Sequence, residues 1–355
     1  MDVNDCWYMQ RNLIVLHPLP INRGVSAPVQ FFTKIFNDGQ YKETLLKDYQ
    51  FNTITSLDII HQYKKSETEF CEYIKNEQSF SNSIILAIQP LAVSRVNIIE
   101  RSNNIKFVGW LNDPHHFAEI IENRGTTIQK YIETYDSHVL DKIDYLITPS
   151  AIYFDNLKMK KYYDKIIDLF FCLDPEWFLP LSNRRYHERD SKIILSGAFG
   201  EGYKSRSEFY DLKTKSSEFD ALIHRIKHPG YKNNDHMTGV NYYNKLSEFK
   251  AAFVGHHDFP LNFLLAKHIE VLMCGCLGFF EPNRLLYDQL GLIESEHYVS
   301  NFRAGRMIDD CSFYYDWINS ERGREVSMSG QKYVMEKFGK QQINKLFDIL
   351  EKYRT

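Results

Sequence analysis

The chain has 355 residues and a mass of 42.0 kDa, too much for one ordinary hydrophobic core, so two domains are expected. Its 43% hydrophobic and 25% charged residues are a globular composition and exclude a disordered chain. The net charge of −3 excludes a global basic field for nucleic acid, and no apolar run approaches the roughly 20 residues that span a bilayer.

In chain order, residues 13–17 form a short apolar run that ends in the turn-rich Pro18-Leu-Pro-Ile-Asn-Arg-Gly24. A helical pattern from residue 29 leads to a weaker strand near 51–57. Strands are expected at 83–88 and 106–111, the second running into Asn112-Asp-Pro-His-His116. Residues 145–148 form another strand, closed by Pro149-Ser150, and a helical stretch at 151–163 leads to a strand at 166–172. Strands alternating with helices indicate a parallel sheet covered on both faces. Leu173-Asp-Pro-Glu-Trp-Phe-Leu-Pro180 and the polar residues 182–191 mark a linker. The pattern restarts with a strand at 192–196, the glycine-rich Gly197-Ala-Phe-Gly-Glu-Gly202 and a helix from about Ser205. A helix at 242–249, a strand at 251–254, a helix at 261–273 and a strand at 277–280 continue it. The stretch 313–353 is helical in pattern, with Gly323, Gly330 and Gly339 as expected interruptions. The economical architecture is α/β, with two doubly wound domains in tandem.

Six cysteines lie at 6, 71, 172, 274, 276 and 311, several inside apolar runs, where a reduced core thiol is expected. Cys274-Gly-Cys276 lacks zinc-knuckle spacing and a second pair. With no leader-like pattern at the N-terminus, the expected setting is the reducing cytoplasm of a bacterium or of a virus-infected cell. Gly197-x-x-Gly-x-Gly202 follows a strand, but its spacing is not that of a dinucleotide-binding fingerprint. Glu270 sits between Ile269 and Val271-Leu-Met on an otherwise apolar helix, where a carboxylate without a partner would be costly. Its plainer reading is a glutamate on a helix surface.

Several segments together resemble GT-B glycosyltransferases, and within them the group that contains spore-maturation-type transferases. Tyr145-Leu-Ile-Thr-Pro-Ser150 resembles the strand that closes that family's acceptor domain. Leu173–Pro180 resembles its interdomain motif, and Leu195-Ser-Gly-Ala198 the end of its first donor-domain strand. Lys267-His-Ile-Glu-Val-Leu-Met-Cys-Gly275 resembles its nucleotide-sugar-binding helix, with Ile269 where a phenylalanine is usual. Residues 321–330 look like the arginine- and glycine-bearing segment near its end. The similarity covers most of 145–350 and is faint before residue 105.

The resemblance implies two Rossmann-like domains facing a cleft: an acceptor domain at 1–180, a nucleotide-sugar domain at 181–335, and a C-terminal helix at 336–355 that packs back on the first. It implies transfer of a sugar from a UDP- or GDP-linked donor to a hydroxyl of a glycan or other acceptor, with no cofactor and no metal. Glu270 takes the place of the ribose-binding carboxylate. Lys267, Lys204 and Arg206, with the loop that Gly197 opens, take the place of the diphosphate site; each cation is otherwise an ordinary solvated charge. His256, His257 and Asn262 fall where the donor sugar is lined, and Asn262 stands where retaining members carry a second glutamate eight residues before Glu270. That departure leaves the stereochemical outcome open. A general base is expected from Asp113, His115 or His116, with His17 after the first strand as the other candidate, although Asp113-Pro is equally a helix N-cap with proline in the first turn. A GT-B-fold epimerase of nucleotide sugars, or a module that binds glycan or nucleotide sugar without turnover, are the alternatives.

Overall fold

The computed structural model describes residues 11–17, 49–55, 83–88, 106–110, 144–148, 164–170, 184–197, 199–226, 240–256 and 266–352. The chain divides into two compact units, Met1–Phe170 with Lys345–Thr355, and Phe171–Asn344. Each is built on a parallel sheet.

The first unit carries six described strands: β1 (Arg11–His17), β2 (Tyr49–Thr55), β3 (Ile84–Ile88), β4 (Lys106–Trp110), β5 (Tyr145–Thr148) and β6 (Ile166–Asp168). Their order is β2-β1-β3-β4-β5-β6, with Leu13 opposite Phe51 on one side and Ile84 on the other. All neighbours run parallel. In β5, Leu146, Ile147 and Thr148 are consecutive and all buried, the mark of a strand covered on both faces. The last strand is shorter than the sequence pattern indicates, ending at Asp168, with Leu169 and Phe170 buried beyond it. Near the C-terminus Lys345 joins this unit, its Nζ donating to the Asp168 carbonyl at 2.7 Å.

The parallel sheet of the second unit has five described strands: β7 (Asp190–Ser196), β8 (Ile223–Ile226), β9 (Phe249–Val254), β10 (Leu277–Phe280) and β11 (Val299–Ser300), in the order β11-β10-β9-β7-β8. Read from its first strand, this is the 2-1-3-4-5 order of the first unit, again all parallel. A short antiparallel pair, β12 (Phe302–Arg303) and β13 (Arg306–Met307), follows β11. The described helices are α1 (Lys204–Asp211), α2 (Ser217–Leu222), α3 (Val240–Leu246), α4 (Lys267–Met273), α5 (Arg284–Leu290), α6 (Cys311–Asn319), α7 (Glu321–Phe338) and α8 (Lys340–Lys352).

One face of this sheet packs Ile193, Leu195, Phe253, Leu277 and Phe279 against Phe209 of α1 and Tyr314 of α6. Phe209 stacks on Phe253 at 4.3 Å between ring centroids, and Tyr314 meets Phe209 and Phe279 edge-on at 5.5 and 5.1 Å. These rings fill the core on this face of the sheet. Gly323 and Gly330 do not interrupt the last helices as the sequence suggests; both lie inside α7, and the break falls at Gly339. A Cβ at 323 would run into the Trp317 carbonyl and one at 330 into the His297 carbonyl. These glycines therefore serve close packing of α7, not chain reversal. Among the described residues no helix is long and apolar enough to cross a membrane.

Candidate functional site

In an open parallel sheet the strand order reverses beside the first strand, and loops leaving the carboxyl ends there splay apart into a crevice. In the second unit that point lies between β7 and β9, where Ser196-Gly197 and Gly255-His256 emerge.

Gly197 has φ +106°, a region that L side chains rarely adopt. A Cβ there would lie 2.7 Å from Arg206 Nη1 and 3.2 Å from Lys267 Cε. The glycine thus keeps a gap between two cations that come from different helices, α1 and α4. Arg206 is buried, with its guanidinium 4.3 Å above the Tyr203 ring. Half-buried Lys267 opens α4 and donates from Nζ to Tyr242 Oη at 3.2 Å, the ammonium lying 4.7 Å over the same ring. Two positive groups around a bare backbone turn, near the N-terminal end of α1, form an environment suited to an anion such as a diphosphate.

Glu270, one turn along α4, is buried at 4% exposure and accepts a hydrogen bond on Oε1 from Tyr243 Oη at 3.1 Å. Tyr243 is fully buried on α3, and its pKa is raised well above the phenol range, by burial first and then by the Glu270 charge. The neighbouring Tyr242 is raised in the same way, burial leading, and its Oη lies 2.7 Å from Ser196 Oγ. Both phenols therefore stay protonated donors. A carboxylate offers about four lone-pair sites and can accept from several donors together, a phenol and a vicinal diol among them.

A second carboxylate, Glu281, stands just past the end of β10. Its Oε2 accepts from Ser205 Oγ at 2.7 Å and from the His256 backbone N–H at 2.9 Å. It binds the start of α1 to the end of β9, and Gly255 fits between because a Cβ there would strike Ser205 Oγ. His256 is buried, stacked on His268 at 5.3 Å and beside the Tyr287 ring at 5.8 Å.

The structure thus brings Gly197, Arg206 and Lys267 together and sets Glu270 on the same helix as Lys267. Lys204 is exposed at the first residue of α1. His257, Asn262, Asp113, His115 and His116 lie outside the described residues, as does the interdomain segment 173–180. Sequence reasoning missed Tyr242, Tyr243, Ser205 and Glu281. The available signal was the Tyr-Tyr pair on a short helix, since a buried phenol seeks a partner. Cys274 and Cys276 are buried free thiols, as expected of core cysteines, and burial pushes the Cys276 thiol up to about 12.

No protein-family model matches the chain, and no curated protein sequence matches it. Solved structures do. The chain is similar to HepE of Anabaena in complex with UDP and glucose, with a TM-score of 0.60 at 10% identity over 95% of this chain and 99% of that one. It is similar to sucrose-phosphate synthase from Thermosynechococcus elongatus, with a TM-score of 0.59 at 9% identity over 96% and 99%. An alpha-glucosyltransferase in complex with UDP and a mismatched DNA matches with a TM-score of 0.56 at 12% identity over 96% and 99%. The fold is that of the GT-B glycosyltransferases.

Proposed function

We propose that this protein transfers a sugar from a UDP- or GDP-linked donor to a hydroxyl of a glycan or other acceptor, without a metal. One observation carries the reading. At the switch point of the second sheet, a left-handed glycine holds a gap between Arg206 and Lys267, with the buried carboxylate of Glu270 one turn further along α4. A nucleoside diphosphate sugar presents a matching set: an anionic diphosphate and a ribose diol. The likeness to transferases solved with UDP supports the same reading.

In the reaction the acceptor oxygen bonds to the anomeric carbon while the bond from that carbon to the distal phosphate oxygen breaks. The acceptor proton passes to a base, and the nucleoside diphosphate leaves. Negative charge grows on the leaving phosphate, where Arg206 and Lys267 stabilise it without reorganising. These two cations do the work that a metal does elsewhere, which is the ground for proposing metal independence. The base is assigned to Asp113, with His115 or His116, in the segment that follows β4 of the first unit. His256, His257 and Asn262 are assigned to the side of the donor sugar. Lys204, at the exposed start of α1, adds charge to the approach. The acceptor is proposed as a glycan in keeping with the net charge of −3, although some similar structures hold DNA.

A thermal-shift panel of UDP, GDP, ADP and CMP tests the donor site, because a ligand that binds only the native state raises its apparent stability. UDP or GDP should raise the melting temperature, and Glu270→Ala should weaken the better of the two by roughly 1–3 kcal/mol. Slow release of UDP or GDP with free sugar, enhanced by an acceptor and unchanged by EDTA, is the expected activity. Stabilisation by none of the four nucleotides would remove the reading. Binding without release in every acceptor screen would leave a non-catalytic module instead.

A further inference from the structure

We infer that the adjacent tyrosines of α3 present two different parts of the donor: Tyr243 governs ribose selectivity through Glu270, and Tyr242 governs diphosphate affinity through Lys267. This rests on the donor-site reading above and adds two positioning residues to it.

The argument starts from burial. Tyr242 is 8% exposed and Tyr243 fully buried, on a helix of seven residues. Consecutive helical residues project about 100° apart, so the two rings diverge and their hydroxyls reach different neighbours. Tyr242 Oη lies 2.7 Å from Ser196 Oγ, the last residue of β7 before Gly197, and accepts from Lys267 Nζ at 3.2 Å. Tyr243 Oη donates to Glu270 Oε1 at 3.1 Å. Lys267 and Glu270 are three residues apart on α4, so α3 meets both of these side chains with two successive phenols.

The chemistry of each contact differs. Lysine is a flexible four-carbon stem that loses rotamer freedom when it must meet a phosphate. Tyr242 holds the ammonium from below, through its oxygen and its ring face, beside the glycine gap. Glu270 must present a carboxylate plane to a vicinal diol. Tyr243 fixes one oxygen, and because its phenol stays protonated it is always a donor there. Substituting phenylalanine leaves the ring packing and removes only these oxygens.

The probes are UDP, UMP and 2′,3′-dideoxy-UDP, with the guanine series run alongside, measured by calorimetry on the full chain. For the base that binds better, wild type should prefer the ribonucleotide to its dideoxy form. Tyr243→Phe should shrink that preference by about tenfold while leaving the diphosphate-to-monophosphate ratio unchanged. Tyr242→Phe should do the opposite, shrinking the diphosphate-to-monophosphate ratio by several-fold and sparing the ribose preference. A merely structural role would scale every ligand alike, so equal losses across all three probes, or no loss, overturn the inference. Wild type that binds no nucleoside diphosphate overturns both the donor-site reading and this inference. Wild type that binds and discriminates, beside a Tyr243→Phe variant that discriminates equally, overturns the inference alone. Should Tyr243→Phe fail to fold, wild type labelled with carbon-13 at the tyrosine Cζ replaces it. The Tyr243 signal should move with the ribonucleotide and much less with the dideoxy form, and equal movement overturns the assignment.

Discussion

Two independent features favour glycine at position 197. Its φ of +106° strains any L side chain, and a Cβ would meet Arg206 and Lys267 in the gap they flank. Gly197→Ala should therefore cost about 1–3 kcal/mol of stability through the backbone. It should also weaken nucleotide binding by displacing a guanidinium; denaturant melts and calorimetry separate the two effects. A variant with wild-type affinity would mean that the gap is not where the anion sits. Gly197 and Glu270 were legible in the sequence, because a glycine after a strand and a charge on an apolar helix break the local pattern. Tyr243 was not, since a buried phenol looks like any core aromatic until its partner is known. The link that Glu281 makes to Ser205 and to the backbone of His256 spans 76 and 25 residues, and no local pattern records it.

The helix bearing Lys267 and Glu270 is fixed mainly from its C-terminal end. Helix C-termini leave carbonyls without partners inside the helix, and here side chains from elsewhere take them. The buried Arg189 donates through Nη1 to the carbonyls of Cys274 (3.0 Å) and Gly275. Ser327 Oγ and Gln331 Nε2 of α7 donate to Gly275 and Met273, at 2.9 and 2.8 Å. A cation at a helix C-terminus also complements its dipole. α7 reaches that position because Gly330 lets it approach His297 and Leu272. Gly330→Ala should gain up to about 1 kcal/mol of helix propensity but lose about 1–3 kcal/mol to overpacking, so the net change is destabilising. A chemical melt of the full chain reads the sign, and a stabilised variant would contradict the close approach. Strands were legible where they are central and apolar, as in β5 and β10. The helix over 240–246 was placed two residues late, and β8 was missed altogether: Ile223-His-Arg-Ile226 is short, half polar, and lies at the sheet edge.

At the scale of the whole molecule, the same 2-1-3-4-5 strand order recurs in both units, so the tandem α/β reading of the alternating pattern holds for the sheets. The sequence could show that alternation because buried parallel strands are apolar runs, but it does not encode their lateral order in any single segment. Burial of titratable groups in the second unit sets a stability window. His297 accepts the Ile293 N–H on Nδ1 at 3.0 Å, and burial lowers its pKa below the ordinary 6.5; His224 is lowered likewise, burial leading. A folded pKa below the unfolded one contributes stability that is full above pH 6.5 and is lost as pH falls through the folded value. Cys276 is raised by burial from 9.0 to about 12, while Cys274, Tyr242, Tyr243 and Tyr287 lie well above their ordinary values, burial being the leading cause for each. Groups raised in this way contribute stability that is full below their unfolded values and is lost as pH climbs towards the folded ones. The melting temperature should therefore form a plateau between about pH 7 and 9 and fall on both sides. A curve still rising beyond pH 10, or flat from pH 7 down to 5, would contradict these assignments.

The edge strand that sequence reading missed has a consequence for how the protein behaves in a crowded solution. Among the described residues β8 is the outermost strand of its sheet, only four residues long, with Arg225 exposed at its third position. The guanidinium lies over Phe199 and Tyr210, at 4.3 and 5.0 Å from the ring centroids, and Lys213 Nζ takes the Ile223 carbonyl at 3.0 Å. A bare strand edge is a template on which another chain can pair and start an aggregate. Here two cations occupy that edge, one bound to its backbone and one stacked beside it, so a second copy approaching strand to strand meets like charge and a carbonyl already taken. Arg225, one of the two polar residues that hid β8 from pattern reading, is also one of the two cations that disfavour such pairing.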